Sequence, residues 1–230
     1  QVCLISAALA TLAAVTALAL FQESLPPSAR RAKGEPRPRR WAMLLTRPAL
    51  TRFVVIMFIL IAAQALLETT FGLWSDAVLH WGPRQVGWTL AVLGAGAVLL
   101  QGGIAGRASR TIGERWTLLI GLGLFALGLA ILAATADFTT MAIALGAFVV
   151  GTGLATPALN ALIASQASEQ ERGAVMGISQ SASAFGRVAG PLASGALFDH
   201  FGVWTPFAAG AALTLIAVVV ALTEPRSSRP

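Results

Sequence analysis

Long apolar runs separated by short polar segments dominate this sequence. Seven runs of about 20 predominantly apolar residues are each long enough for a helix to cross the roughly 30 Å hydrocarbon core of a bilayer. In lipid, backbone polar groups are satisfied only in helices and closed barrels, and runs this long exclude a barrel. The pattern therefore predicts an all-α, polytopic membrane helix bundle. Its expected spans are residues 2–21, 53–74 (or 53–79), 86–105, 116–136, 141–165, 174–198 and 203–222.

The composition also indicates that this chain lies in a lipid bilayer. The chain is 56% hydrophobic and only 11% charged, whereas soluble domains carry about 25% charged residues. A net charge of +6 raises the question of a nucleic-acid partner. However, eight of the sixteen basic residues lie in one segment between two apolar runs, residues 23–52. Membrane topology accounts for that cluster, so we expect no nucleic acid among the partners.

The placement of the basic residues also predicts an orientation. If residues 23–52 are cytoplasmic, the loops 106–115 and 167–173 and the tail after Leu222 are cytoplasmic as well. Fourteen of the sixteen basic residues then lie inside. Because Lys and Arg favour the cytoplasmic side, the sequence predicts a multi-pass protein of the cell inner membrane with its linker and C-terminus in the cytoplasm.

One span, a long basic linker and six further spans resemble the layout of a major facilitator superfamily transporter from its sixth transmembrane helix onward. Residues 102–115 are similar to the second-half copy of the family's cytoplasmic G-x-x-x-D-R-x-G-R-R loop. Arg110 stands where the first-half copy carries Asp, so the charge relay assigned to that Asp is not carried over. The resemblance gives this loop a conformational role, with the motif residues Gly106, Arg107, Arg110, Gly113 and Arg115.

The sixth span indicates which members of the superfamily the chain resembles most. Residues 186–195 are similar to the G-x-x-x-G-P-x-x-x-G pattern of drug/proton antiporters. Gly186 and Gly190, four residues apart, permit close helix packing, and Pro191 frees a backbone carbonyl and bends the helix. Together with segments 63–74, 87–94 and 153–160, this motif makes the tetracycline and multidrug efflux members of the drug:H+ antiporter family the best match.

The resemblance implies that the chain is the C-terminal half of such a transporter. Residues 1–22 would be the sixth transmembrane helix, 23–52 a proline-rich cytoplasmic linker, 53–223 a six-helix bundle and 224–230 a cytoplasmic tail. In this superfamily the substrate binds near the bilayer midplane between two six-helix halves. A missing N-terminal half, the lipid bilayer, a small-molecule substrate and protons are therefore the expected partners.

Two ionisable residues lie near the middle of apolar spans, Glu68 and Arg187. Charged groups at membrane depth are costly and mark functional sites with a partner. If the two pair, protonation of Glu68 or arrival of substrate would break the pair and switch the transporter between states. The alternative is a static ion pair, or a cavity residue that does not titrate.

Further polar residues share faces with these two. Gln64 is four residues before Glu68, and Gln180 and Ser183 precede Arg187 at helical spacing. We expect both stripes to face a central cavity, with Asn160 a further candidate on the span broken by Pro157. Each of the four uncharged side chains either contacts substrate or forms an interhelical hydrogen bond. Pro157, with two nearby glycines, marks either a gate or a packing site.

Signatures of an enzyme are absent from the sequence. There is no phosphate-binding loop, no H-E-x-x-H zinc site and no framework of cysteines, so we expect neither catalytic residues nor a cofactor or metal. The sequence favours a secondary transporter that exports small amphipathic compounds or drugs by proton-coupled alternating access. The alternatives are uptake or sugar and metabolite transport within the superfamily, or a non-transporting receptor or assembly subunit.

Overall fold

The computed structural model of this chain describes residues 2–20 and 40–223. Most of the predicted linker and the tail 224–230 lie outside the described residues. The chain divides into two compact units, residues 1–37 and 38–230. In the first unit, helix α1 covers Val2–Leu20. Thr11 and Thr16 each donate a hydroxyl hydrogen bond of 2.8 Å to the carbonyl four residues earlier, which satisfies both side chains within an apolar helix.

The second unit is built from helices joined by short turns. A π-helical turn, Leu100–Ile104, connects α4 to α5, so that Pro83–Ile112 is one helical segment of 30 residues. The helices of this unit are α2 (Arg40–Thr46), α3 (Pro48–Leu79), α4 (Pro83–Leu99), α5 (Ala105–Ile112), α6 (Glu114–Ala134), α7 (Phe138–Ser165), α8 (Arg172–Phe201) and α9 (Thr205–Leu222). The predicted all-α helix bundle is confirmed.

Five helical segments among the described residues are long and apolar enough to cross a membrane. They are Pro48–Leu79, Pro83–Ile112, Glu114–Ala134, Phe138–Ser165 and Thr205–Leu222. The other two predicted spans differ from expectation. The apolar stretch Ser6–Leu20 of α1 is shorter. α8 is long enough at 30 residues but more polar, because it carries both Gln180 and Arg187 along its length.

α3 differs from the sequence prediction at its start, whereas its end lies at the alternative bound that was predicted, Leu79. α3 begins at Pro48 rather than Phe53, since proline suits the first turn of a helix, where its missing N–H is not needed. It ends at Leu79, where His80 takes a left-handed conformation with φ 54°. The segment predicted as linker, residues 23–52, thus contains α2 and the first turn of α3.

Glycines bring α6 and α7 into backbone contact. A Cβ atom added at Gly151 of α7 would lie 2.4 Å from the backbone nitrogen of Phe125 in α6. Cβ atoms at Gly121 and Gly128 of α6 would both lie 2.6 Å from backbone atoms of α7. Without side-chain bulk at these positions the two helices approach closely, which is how helices gain contact energy in lipid.

A second close pair joins α3 and α8. A Cβ atom at Gly186 would lie 2.9 Å from the carbonyl oxygen of Phe58, and one at Gly190 would lie 2.7 Å from that of Ala62. Gly195, the third glycine of the motif, has nothing within 4 Å of such an atom. α9 packs against both α3 and α6 and so connects the two pairs.

α4 is the exception in this packing. In its most apolar window only 6% of Pro83–Ile112 is buried inside the structure, against 72% for α3. α3 is therefore the central helix of the bundle, and α4 is a peripheral helix whose contacts with α3 and α7 are few.

Candidate functional site

A polar cavity of about 360 Å³ opens between five elements of the bundle: α3, α4, the π-helical turn, α7 and α8. Its polar lining combines two side chains of α3, one of the π-helical turn, two of α7 and one of α8. These side chains are Gln64, Glu68, Gln101, Thr152, Thr156 and Arg187. Apolar residues of α3, α4 and α7 complete the wall. The volume suits a small organic molecule, since ligand pockets span about 300–1,000 Å³.

Glu68 and Arg187, the two predicted membrane-depth charges, line this same cavity. Glu68 is exposed and accepts a hydrogen bond of 2.8 Å from Nε2 of Gln64, one helical turn earlier. Arg187 is also exposed, and the two charged groups, both within the described part of the chain, form no ion pair. Two opposite charges from different helices therefore line one cavity without an ion pair between them.

The remaining predicted site residues lie off this cavity. Asn160 and Gln180 are exposed, and Ser183 is half-buried with its hydroxyl donating to the carbonyl of Ser179 at 3.1 Å. None of the three lines the cavity. Asn160 continues the face of Thr152 and Thr156 at four-residue spacing, so it extends a polar stripe along α7 beyond the cavity.

Three cavity residues were not predicted from the sequence: Gln101, Thr152 and Thr156. The two threonines are four residues apart and share a helix face with Asn160, a signal present in the sequence. Thr152 is buried, and its hydroxyl bonds back to the carbonyls of Phe148 and Val149, both at 3.1 Å.

Gln101 reaches the cavity from the π-helical turn. A π-helical turn adds one residue to a helical turn and shifts the faces that precede and follow it. Such turns are frequent at functional sites. Gly102 and Gly103 follow Gln101 in the same turn. The turn combines a polar cavity residue with two residues that have no side chains to resist rearrangement.

The loop motif forms α5 and the turn into α6. Gly113 adopts φ 85°, a conformation that L side chains rarely take, so glycine is required between the two helices. Arg107 and Arg110 are exposed, as is Gly106. Arg115 donates a hydrogen bond of 3.3 Å to the carbonyl of Leu222 and thereby links the start of α6 to the end of α9.

Neither proline breaks its helix. α7 is continuous through Pro157 and α8 through Pro191, which corrects the expectation that Pro157 divides its span. Both prolines are half-buried. Gly153, near Pro157, faces the π-helical turn, where an added Cβ would lie 2.9 Å from Cβ of Leu100.

An ion pair fastens one end of the bundle outside the apolar segments. Nη1 and Nη2 of Arg47 donate to the two carboxylate oxygens of Glu171 at 3.0 and 2.9 Å, and Nη1 also reaches the carbonyl of Gln166 at 3.3 Å. The hydrogen bonds from Arg47 and Ser168 lower the pKa of Glu171, and the bond to Glu171 raises the pKa of Arg47. The start of α3 is thereby tied to the turn between α7 and α8.

Across the described ranges 2–20 and 40–223, no cluster of His, Cys, Asp or Glu is arranged to hold a metal ion.

Comparison with known proteins identifies the family of this bundle. Residues 54–230 match the family model of the Major Facilitator Superfamily. The chain is 29% identical over 195 residues to the tetracycline resistance protein, class G, of Vibrio anguillarum, covering 81% of this chain and 49% of that protein. It is 25% identical over 198 residues to multidrug resistance protein 2 of Bacillus subtilis (strain 168), covering 84% of this chain and 49% of that protein.

Solved structures give the same fold. The human organic anion transporter MFSD10 (TETRAN) superimposes with a TM-score of 0.71 at 21% identity, covering 84% of this chain and 44% of that one. A peptide transporter POT in complex with sulfate superimposes with a TM-score of 0.69 at 15% identity, covering 81% and 41%. The chain thus spans about half the length of the curated relatives and the solved structures that it matches.

Proposed function

Because this chain belongs to the Major Facilitator Superfamily, a family of membrane transporters rather than enzymes, we propose that it forms one half of a proton-coupled exporter of small amphipathic compounds. Its polar cavity would be one wall of the substrate site, and a second six-helix half would supply the other. The proposed location is the cell inner membrane, with the segment 23–52 in the cytoplasm. Tetracycline and multidrug resistance proteins among the relatives support export over uptake.

The observation that carries this proposal is the pair of unneutralised charges in one cavity. Glu68 and Arg187 come from α3 and α8, the two helices that pack through Gly186 and Gly190. Since that packing fixes the helices against each other, the two charges keep a constant relation while the cavity opens to either side. A proton on Glu68 and a cationic group of the substrate then compete to neutralise the same carboxylate, while Arg187 stays positively charged.

Alternating access follows from that competition. When Glu68 is ionised, the cavity holds a negative and a positive group and attracts a polar substrate. When Glu68 takes a proton from outside, its charge is lost, Gln64 no longer faces an anion, and the substrate is released. Each cycle moves a proton inward and a substrate outward, and the tightly packed half rocks as a unit.

The test is proton release on substrate binding. In the detergent-solubilised protein, paired with the half that completes the cavity, a panel of lipophilic drugs should release protons from wild type. Glu68→Gln should reduce that release to background. Glu169→Gln is the matched control, because Glu169 is an exposed carboxylate in the turn between α7 and α8, away from the cavity. Undiminished release from Glu68→Gln would remove Glu68 from coupling, and no release from wild type with any drug would contradict proton-coupled drug export.

A further inference from the structure

Arg187 is a permanent cation of the polar cavity. It lies on α8, is exposed, and forms no ion pair or side-chain hydrogen bond with any residue in the ranges 2–20 and 40–223. Arginine keeps its charge at every working pH, and its guanidinium has five N–H donors and no acceptor. Because a charge at membrane depth is costly without a partner, this guanidinium calls for an acceptor from outside the described part of the chain.

Glu68 differs from Arg187 because its neighbour can serve it in either protonation state. The ionised carboxylate accepts a hydrogen bond of 2.8 Å from Nε2 of Gln64. A side-chain amide has an acceptor as well as donors, so after rotation the Oε1 atom of Gln64 accepts from a protonated Glu68. A proton on Glu68 therefore costs no hydrogen bond. What it changes is the charge that faces Arg187.

These two residues set the charge of this wall of the cavity. Glu68 and Arg187 are the ionisable residues that the described structure places along its lining. α7 and α9 carry no charged residue, and α2 carries one at its first position. The other charged residues of α3, α4 and α8 lie near the helix ends and do not line the cavity: Arg52, Asp76, Arg84, Arg172, Asp199 and His200. The charges −1 and +1 cancel while Glu68 is ionised, and the wall is left with +1 once Glu68 is neutralised.

Two further donors line the same cavity. Gln101 is exposed, Thr156 is half-buried, and within the described residues neither side chain forms a hydrogen bond. The amide of Gln101 has two N–H donors and the hydroxyl of Thr156 has one. Charge-assisted hydrogen bonds from a guanidinium are the strong ones, and neutral donors add to them. The wall thus combines one permanent cation with two uncommitted donors, which is the donor set that an anion requires.

On these grounds we propose that Arg187 is the centre of an anion subsite, which a singly charged anion occupies when Glu68 is neutralised. The inference rests on the proposed function, since a proton or a cationic group of the substrate is what neutralises Glu68. The anion is either free chloride or a carboxylate group of a substrate that carries both charges. The linkage is reciprocal: a proton on Glu68 raises anion affinity at Arg187, and an anion there favours proton uptake by Glu68.

The test uses the line width of the chloride NMR signal at one fixed concentration of sodium chloride. The protein, paired with the half that completes its cavity, is held in nanodiscs of uncharged phosphatidylcholine. Bound chloride relaxes faster than free chloride, so the line broadens with occupancy. The broadening that Arg187→Gln removes is the contribution of the subsite. Arg84→Gln is the matched control, because Arg84 is an exposed arginine in the first turn of α4 and does not line the cavity.

We expect the subsite contribution in wild type to grow as the pH falls and Glu68 takes up a proton. Glu68→Gln should bind chloride equally at every pH, with an affinity at neutral pH at least about fivefold above that of wild type, because one negative charge no longer repels the anion. Arg84→Gln should follow wild type. A gain of binding in Glu68→Gln is an effect that misfolding does not produce.

Two results would disprove the subsite. One is that Glu68→Gln binds no more chloride than Arg187→Gln, which would give Arg187 a carboxylate of the second half as its partner. The other is that wild type and Glu68→Gln bind chloride equally at every pH, which would separate the anion from Glu68.

Sodium benzoate distinguishes the two sources of the anion. It is added to Glu68→Gln in the presence of chloride. Loss of the subsite broadening at a benzoate concentration below that of chloride would support the subsite with a substrate carboxylate as its ligand. Loss only at a benzoate concentration above that of chloride would support the subsite with free chloride as its ligand.

The outcomes also separate this inference from the proposed function, because chloride binding is measured without any drug. A chloride site that depends on Arg187 and Glu68, without drug-induced proton release from wild type, would contradict proton-coupled drug export and support the subsite. Drug-induced proton release that depends on Glu68, without chloride binding in Glu68→Gln, would support coupling and overturn the subsite.

Discussion

The two sides of α7 are packed in opposite ways. On one side, Gly151 lets the backbone of α7 touch that of α6 at Phe125. On the other side, α7 faces α4 across an open groove of about 630 Å³, and a Cβ added at Gly96 of α4 would lie 3.3 Å from Cγ1 of Val149. α7 is therefore packed tightly against α6 and only loosely against α4.

This difference indicates which parts of the bundle can move. Lipid supplies no hydrophobic force between helices, so their association depends on close packing and polar contacts. The α6–α7 and α3–α8 pairs have such packing through glycines, whereas α4 is little buried and is interrupted by a π-helical turn. We infer a rigid scaffold of α3, α6, α7, α8 and α9 that carries Glu68 and Arg187, with α4 as the adjustable wall of the cavity.

The largest effect on stability should follow from a change on the side of α7 that packs against α6. Gly151→Leu places a Cβ 2.4 Å from the backbone of α6, and backbone cannot move aside as a side chain can. We expect a loss of about 3 kcal/mol in the free energy of unfolding, measured by detergent denaturation. The control is Gly123→Leu, in open space on α6, which should unfold like wild type. Equal stability of the two variants would contradict the rigid α6–α7 contact.

A change in the π-helical turn that follows α4 should alter the lining of the cavity more than the stability of the bundle. Deleting Gly103 removes the extra residue of the π-helical turn and rotates Gln101 relative to the buried Ala105 by about 100°. Because Ala105 is anchored, we expect Gln101 to leave the cavity. In a Gln101→Cys background with Cys3 replaced by serine, labelling by a water-soluble thiol reagent should fall several-fold on deletion, with little change in unfolding. Unchanged labelling would show that the turn does not orient Gln101.

The helices and the two cavity charges could be predicted because their signals are local and strong. Long apolar runs predict spans, and a charge within such a run stands out, so the placement of Glu68 and Arg187 on one cavity agrees with expectation. Their ion pairing, which was left open, is not seen. α8 was predicted as a span with a polar stripe, and the structure shows a continuous helix there that is more polar than the five apolar segments.

What the sequence did not reveal depends on contacts between distant segments. Gln101 lies in an apolar run, and only the π-helical turn aims it at the cavity. Asn160 and Gln180 were expected in the cavity but do not line it. Helical periodicity gives the face on which a residue lies, but not how far along the helix the cavity extends. The groove between α4 and α7 exists because two apolar surfaces do not pack together. A pattern of apolar residues shows that each surface is apolar but not whether the two are in contact.

The smallest effect should come from the ion pair between Arg47 and Glu171. Glu171 has its pKa lowered below the ordinary value of 4.5 by Arg47 and Ser168, so its contribution to stability is complete above pH 4.5. That contribution is lost as the pH falls through the lowered pKa. Glu171→Gln should therefore lower the unfolding temperature at neutral pH by no more than about 2 °C, because both groups are exposed to water and surface pairs are weak.

The pH dependence separates this pair from glycine packing. As the pH falls below 4.5 and through the lowered pKa of Glu171, the difference between Glu171→Gln and wild type should shrink, since the wild-type carboxylate takes up a proton and loses its charge. Glu169→Gln, two residues away and exposed, is the control and should follow wild type at every pH. The defect of Gly151→Leu is steric and should persist across the same range. A Glu171→Gln defect that does not change with pH would mean that the side chain acts by shape or neutral hydrogen bonding, and that charge has no part in holding α3 to the turn before α8.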